Sequence, residues 1–437
     1  MTKKGKKRYV LVGTGARSFM FSESLLQTYK ATAELAAICD LNPVRMAYNN
    51  AVFQKSFGIR PVRMYEAADF DKMIAREKAQ VVIVATVDRT HHEYIIRALE
   101  AGCDVITEKP MTIDAVKCRA ILDAVKRTGR KLTVTFNYRY SPSRSKVKEL
   151  ITQGVIGEVK SVNFEWLLDT RHGADYFRRW HRDKINSGGL MVHKATHHFD
   201  LLNWWLESSP RTVFGLGQLA FYGRANGESR GEAFPYTRST GAESAKKDPF
   251  AIDLKKDERL AGLYLNAEKE DGYIRDQNVF GDGISIEDTM NLVIGYQSGA
   301  QVSYTLNAYS SCEGCRVSFN GTKGRIELDE REKSYIAAGK GHVADGVADS
   351  QSLMVFPHWE KPYPVEVKIS AGGHGGGDLI LLDQLFGKGV KRDPLGRAAC
   401  HLDGARSVLT GLAANQSFAT GQPVELDDIL NLDRYVG

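Results

Sequence analysis

The chain has 437 residues, 43% apolar and 26% charged, the balance of a water-soluble globular protein with room for two or three cores. Its formal charge of +6 is concentrated at the start, where Lys3, Lys4, Lys6, Lys7 and Arg8 supply five positive charges; a solvated tail is expected, with no nucleic-acid partner. No apolar run reaches the ~20 residues of a membrane span and none follows the basic start, so no membrane anchor or secretory leader is expected and the protein is read as cytoplasmic.

RYVLVGTGARS opens with the apolar run Tyr9 to Val12, breaks at Gly13 and Gly15, and continues into SFMFSESLLQTY, a helix-forming segment. ELAAICD then reads as a second strand ending at Asp40, 22 residues after Ser18. Strand, glycine turn, helix and strand with a terminal carboxylate is the context in which such a turn holds a dinucleotide. Gly13 permits the tight turn, Gly15 lets a pyrophosphate approach the backbone, and Thr14, Ala16 and Arg17 complete the loop. The helix N-terminus adds unpaired N–H groups. Ser18 stands where the third glycine of the fingerprint falls. Asp40 is expected to accept from the adenosine ribose hydroxyls and to favour NAD over NADP, with Arg17 and Arg45 close enough in sequence to soften that preference.

The alternation continues. AQVVIVATVDRTHHEYIIRALEAG supplies a buried strand (Val81 to Ala85), a loop and a helix, CDVITEKP repeats the pattern, and KLTVTFNYRYSP adds a strand after the helix IDAVKCRAILDAVKRTG. Strands alternating with helices imply a doubly wound parallel sheet with ligands at the strands' C-terminal ends, where Thr86, Glu108, Lys109, Asn137 and Arg139 fall. Thr86, Glu108, Lys109, Asn137 and nearby His91 join the cofactor set, and Arg139 the substrate set. A dinucleotide domain is placed at 1–140 and a substrate and assembly domain at 141–437.

Asn163 to Lys184 is dense in aromatic and basic side chains. Sugars present apolar C–H faces and many hydroxyls, so Trp166, Tyr176, Trp180, His181 and Arg182 are candidate contacts, while Arg178, Arg179 and Arg182 suit a carboxylate or other anion. The plainer reading is a core strand with solvated arginines.

GGLMVHKATHHFD, Gly188 to Asp200, leads into a helix expected from about Leu190 to Leu206. On it His193, His197, Asp200 and Trp204 share a stripe, Ala195, Phe199, Leu202 and Leu206 share the opposite one, and His198, off the first stripe, is expected to matter little. A solvated polar face, a two-histidine zinc site and a proton-transfer site are the alternatives. HxxxH without a glutamate or a third ligand argues against metal.

Residues 223–276 form a polar stretch without periodicity, read as an insertion serving as a lid or an oligomer arm. The six cysteines give no disulfide framework, and Cys312 and Cys315 form a lone CxxC read as structural thiols. GGHGGGD, Gly372 to Asp378, is a turn before an apolar helix, with Asp378 as its N-cap and His374 as a residue that can approach the site. A last amphipathic helix with a glycine stop closes the chain.

VGTGARS, AICDLNP, the run from Ala85 through EKP, GGLMVHKATHHFDLLNWW and NGTKGRIEL together resemble the Gfo/Idh/MocA family of oxidoreductases. The resemblance implies an N-terminal Rossmann domain and a C-terminal α+β domain on a largely antiparallel sheet. It also implies hydride transfer between NAD and a sugar or polyol, and homodimers or homotetramers formed through the open face of that sheet. By the same resemblance Lys109 matches the catalytic lysine, His197 the catalytic histidine and Asp200 the acidic residue three positions on. His193 and Ala195 replace the usual aspartate and glycine, which removes a fixed negative charge. His197 is then the general acid/base, Lys109 its electrostatic partner, and His193 a substrate-binding or auxiliary proton-transfer group. The leading expectation is an NAD-dependent dehydrogenase or reductase of a sugar, glycoside or polyol. An NAD-dependent glycosidase that oxidises transiently and keeps its cofactor shares the first step, and a non-catalytic cofactor sensor is disfavoured by Lys109 and His197 together.

Overall fold

The computed structural model describes residues 6–333, 349–367, 376–387 and 393–435; Lys3, Lys4 and His374 lie outside the described residues. Six strands, β1 (Lys7–Val12), β2 (Ala33–Asp40), β3 (Arg63–Glu66), β4 (Val81–Val84), β5 (Asp104–Thr107) and β6 (Leu132–Val134), form a parallel sheet in the order β6-β5-β4-β1-β2-β3. Its central strands are near-continuous apolar runs because helices cover both faces; all of Val81–Val84 is buried. The helix Pro43–Phe57 shows how locally these units are specified. Asn42 accepts from the N–H groups of Val44 and Arg45 at its start, Pro43 stands in its first turn, and Gly58 ends it in the left-handed region at φ 62°.

The rest of the chain builds β7 (Val159–Asp169), β8 (Pro210–Gln218), β9 (Thr289–Tyr296), β10 (Gln301–Ser310), β11 (Glu313–Gly321), β12 (Gly324–Lys333), β13 (Ser350–Pro357), β14 (Tyr363–Pro364), β15 (Ala399–Cys400) and β16 (Val424–Glu425). Nine of these form the second sheet, ordered β14-β13-β12-β11-β7-β10-β9-β8-β16 and antiparallel except for the β7–β10 pair. Alternation along β9 buries Met290, Leu292, Ile294 and Tyr296 and exposes Asn291 and Val293. One face therefore carries the core and the other is open. The remaining strand, β15, returns to the first sheet and pairs antiparallel with β6. The 20-residue helix His401–Thr420 starts there, packs on the helix Thr196–Leu206 and on β8, and stops at Gly421 with φ 66°. The helix Gly377–Phe386 also lies on the first unit, with Phe386 edge-on to Tyr9 at 5.2 Å.

Three expectations change. The segment 190–206 is not one helix: Leu190–His193 and Thr196–Leu206 are separated at Lys194 and Ala195. It has no solvated face either. Every residue from Leu190 to Trp205 is buried, because the second sheet covers one side and His401–Thr420 another. Asp378 is not the N-cap; Gly376 is, and Asp378 sits in the first turn accepting from Asn137 Nδ2 at 2.7 Å.

The insertion is ordered around its own contacts. Phe221, Tyr222, Phe250 and Phe280 cluster, and Arg238 pairs with Glu268 and Asp276. Its second half, with the helices Glu258–Leu263 and Glu268–Asp271, crosses to the first unit. There Leu263 is fully buried beside Phe19, Phe53 and Met46, and Gly262 lies against the Tyr48 ring, where a Cβ would come within 2.1 Å of a ring carbon. Asn42 Nδ2 donates to the Ala267 carbonyl at 2.9 Å and Arg45 Nε to the Leu263 carbonyl at 3.2 Å. The insertion is thus a strap between the two units.

Candidate active site

The glycine turn leaves β1 at Gly13, whose φ of +90° and whose approach to Ala85, 2.4 Å from any added Cβ, leave no room for a side chain. At Gly15 an added Cβ meets nothing closer than the Tyr264 hydroxyl at 3.7 Å, so internal packing does not demand a glycine there. A phosphate approaching the backbone does. Ser18 is buried, its hydroxyl donating to the Gly15 carbonyl at 2.7 Å, and so fits the close helix contact in place of glycine. Asp40 ends β2 as expected, and its oxygens accept from Thr14 N–H (2.6 Å), Thr14 Oγ1 (2.8 Å) and Asn42 N–H (2.9 Å). Arg45 lies 3.5 Å from Asp40 and also pairs with Asp271 of the strap, so two carboxylates share one guanidinium. Tyr264 of the strap accepts from Ala16 N–H at 3.1 Å, and Arg259 donates to the Ala16 carbonyl at 2.9 Å. The glycine turn, the helix N-terminus behind it and Asp40 fit a nicotinamide dinucleotide, with the strap lying across the turn.

At the C-terminal ends of β4 and β5, Arg17 Nε donates to Glu108 at 2.7 Å. The His91 ring lies between the carbonyls of Pro110 (2.8 Å) and Thr86 (3.1 Å), and Thr90 Oγ1 donates to Thr86 Oγ1 at 2.9 Å. Lys109 Nζ donates to the His193 carbonyl at 3.2 Å, and burial, partly offset by Asp88 and Glu108, brings its ammonium down to about 8. His193 Nδ1 lies 2.5 Å from Oδ2 of Asp88, in the turn after β4. Asp88, from the first unit, thus puts a carboxylate beside position 193. Burial pushes the Asp88 carboxyl up and the His193 imidazole well down, and the two groups share a short hydrogen bond. His181 packs edge-on to His193 at 4.2 Å between ring centroids and stacks on Trp180 at 3.5 Å; Tyr176 stands edge-on to both imidazoles at 5.5 Å.

Other candidates are placed differently. Arg139 donates to both oxygens of Asp200 at 2.7 and 2.6 Å in a buried pair that ties the two units together, so their charges face each other. Trp166 is fully buried, sandwiched between Tyr138 (5.2 Å) and His198 (4.1 Å), a core position. Trp204 donates to the Leu395 carbonyl at 2.7 Å. Arg182 donates to the carbonyls of Asn278 (3.2 Å) and Asp282 (2.6 Å), anchoring the end of the strap segment. His197 is buried in the next helix, four residues after His193, with its ring stacked on Tyr138 at 4.1 Å. His198 is fully buried, with Nδ1 2.6 Å from the Tyr304 hydroxyl, so its role is in packing. Cys312 and Cys315 are free, and among the described residues no three metal-ligating side chains converge. No helix of the described residues is long and apolar enough to cross a membrane.

Sequence reasoning missed Asp88 and Tyr264. Asp88 follows the end of β4 and was findable by the same rule that found Thr86. Tyr264 lies in a stretch without periodicity.

Residues 7–136 match the oxidoreductase family's NAD-binding Rossmann fold, and residues 148–426 its C-terminal alpha/beta domain. The chain is 35% identical to the Bacillus subtilis (strain 168) protein YteT over 444 residues, 98% of this chain and 99% of that one. It is 27% identical to the D-glucoside 3-dehydrogenase of Escherichia coli (strain K12) over 196 residues, 44% of this chain and 52% of that one. The WlbA dehydrogenase of Bordetella pertussis, solved with NADH and UDP-GlcNAcA, shares the fold at a TM-score of 0.61 and 19% identity, covering 96% of this chain and 99% of that one. With both halves matched in order, the chain belongs to the Gfo/Idh/MocA family of NAD-binding oxidoreductases.

Proposed function

We propose that the protein moves a hydride between NAD and a hydroxyl- or keto-bearing carbon of a sugar, glycoside or polyol. The observation that carries this is the dry cluster in which Lys109 Nζ rests on the His193 backbone and His193 faces Asp88, beside Trp180 and His181 at the ends of β4 and β5. When bound, the nicotinamide ring supplies or takes up the hydride. The chain must handle the proton of the same hydroxyl. His193, kept neutral by burial, takes that proton at Nε2 as its Nδ1 proton passes toward Asp88, the direction in which burial biases the pair. The Lys109 ammonium stabilises negative charge developing on the oxygen. His197, expected as the general acid/base, lies in the next helix, buried and stacked on Tyr138, and is the alternative proton acceptor. Trp180 offers a flat apolar face to sugar C–H groups.

At the adenosine end, Asp40, Arg45 and Asp271 carry one net negative charge, which supports NAD over NADP. The strap across the glycine turn favours a cofactor held through turnover, as the glycosidase reading requires. A glycoside panel incubated with NAD separates the two: stoichiometric NADH identifies the dehydrogenase, and aglycone release without net NADH the glycosidase. Self-association through the open face of the second sheet, where Phe214, Leu216 and Val293 are exposed, belongs to the same reading. The roles are tested by His193→Asn, Asp88→Asn and Lys109→Met, each expected to lower turnover about 10²- to 10⁴-fold with NAD affinity unchanged. Full activity in His193→Asn with loss in His197→Asn would move the proton to His197.

A further inference from the structure

Three arginines share one carboxylate beside this cluster. Asp175, in the helix Thr170–Arg178, accepts from Arg275 Nη2 at 2.8 and 2.9 Å, from Arg179 Nη1 at 3.0 Å and from Arg178 Nη1 at 3.2 Å. Together they hold its carboxyl far below the usual range. Arg178 also donates from Nη2 to the Phe250 carbonyl at 2.6 Å, and none of its nitrogens is left buried without a partner. Arg275 and Arg179 differ. Arg275 is only 7% exposed, yet its Nε and Nη1 have no hydrogen-bond partner, nor does the buried Nε of Arg179. The Tyr273 hydroxyl is likewise buried and unpartnered. Two positive charges in excess, with three donor nitrogens and one hydroxyl left open at buried atoms, are costly to a fold unless an anion completes them.

The position of this excess says which anion. The Arg275 guanidinium lies 5.8 Å from the ring of Tyr264, so the cluster begins beside the strap over the glycine turn. Tyr176, the neighbour of Asp175, and Trp180 and His181, directly after Arg179, pack against the His193 ring at 5.5, 6.0 and 4.2 Å, which places the charge on the proton-transfer side of the site. His181 Nδ1 is itself buried and unpartnered there. We propose that Arg275 and Arg179, with the Tyr273 hydroxyl, seat a carboxylate of the substrate, so that the substrate is an acidic sugar, a uronate or a glycoside of one. This rests on the sugar oxidoreductase reading and narrows it. The other source of the same chemistry is the cofactor's pyrophosphate.

Calorimetric titration of the NAD-loaded full chain with D-glucuronate, D-galacturonate and their methyl glycosides, against the neutral hexoses and methyl hexosides, decides between them. The expected result is binding of an acid about tenfold or more tighter than its neutral counterpart. Arg275→Gln should abolish that ratio while leaving NAD affinity intact, and Arg179→Gln, which keeps Arg178 and Arg275 on Asp175, should reduce it. Equal affinity for acid and neutral sugar in the unmodified protein overturns the proposal. So does an Arg275→Gln variant, folded by circular dichroism, that weakens NAD and keeps the ratio, since the pyrophosphate is then the anion. Uronate binding with the expected ratio but no turnover supports the carboxylate seat and counts against the oxidoreductase reading.

Discussion

At the scale of single residues, burial decides what each histidine is for. His198 is fully enclosed, bonded to Tyr304 and stacked on Trp166, so His198→Asn leaves a phenol and an aromatic stack short of a partner. It should cost about 1–3 kcal/mol of stability, measured by urea denaturation, with kcat/KM on the surviving folded protein little altered. Lys109 gives a pH signature. Its ammonium is brought down to about 8 by burial, so the cation is present below that pH and lost above it. If the charge stabilises oxygen in the reaction, kcat/KM is flat below about pH 8 and falls above it. A rise through the same pH would make Lys109 the base.

At the scale of elements, the strap is the feature with the most leverage. Leu263 belongs to the insertion but is buried in the core of the first unit, so folding of the strap and closure over the glycine turn are one event. Leu263→Ala should destabilise by about 2–5 kcal/mol. Stopped-flow release of bound NAD should be faster in the same variant. Release at the unmodified rate would mean the strap does not hold the cofactor. Asp271, in the strap's last helix, restrains Arg45 beside Asp40. Asp271→Asn removes one negative charge and frees the guanidinium, so NADP affinity measured by fluorescence titration should rise relative to NAD.

At the scale of the whole molecule, the two units are joined by several ties: β15 on the first sheet, the helix His401–Thr420 on both, the buried Arg139–Asp200 pair and the strap. Such ties favour a fixed relation between cofactor turn and proton-transfer cluster over free hinging. The open face of the second sheet remains, with Phe214 directly opposite Val293 and Leu216 further along β8. Leu216→Glu combined with Val293→Glu should shift sedimentation velocity toward monomer while NAD binding is retained. An unchanged sedimentation coefficient would place the interface elsewhere or show that the chain is monomeric.

What the sequence by itself determined is whatever rests on short-range pattern. The apolar runs of β1, β2, β4 and β5, the turn at Gly13, the carboxylate ending β2 and the glycine stop at Gly421 are each written within a dozen residues, because backbone sterics and strand or helix periodicity act over that distance. Lys109, His193 and His197 were singled out by the resemblance of their motifs to the family, since local pattern alone left a solvated face and a metal site open. The tertiary structure decided which of them have partners. Asp88 and His193 are 105 residues apart in sequence yet 2.5 Å apart in space, and no local pattern encodes that meeting. Arg139 was expected to face substrate, but in the interior it pairs with Asp200, since two opposite charges gain more from each other than either does unpaired. The polar stretch 223–276 carried no periodicity because its buried side chains, Leu263 among them, pack singly into a core built by a different part of the chain. Arg275, four residues after Asp271 in that stretch, gains its meaning only from Asp175, 100 residues earlier. Charge excess is a property of a volume, and only folding draws its boundary.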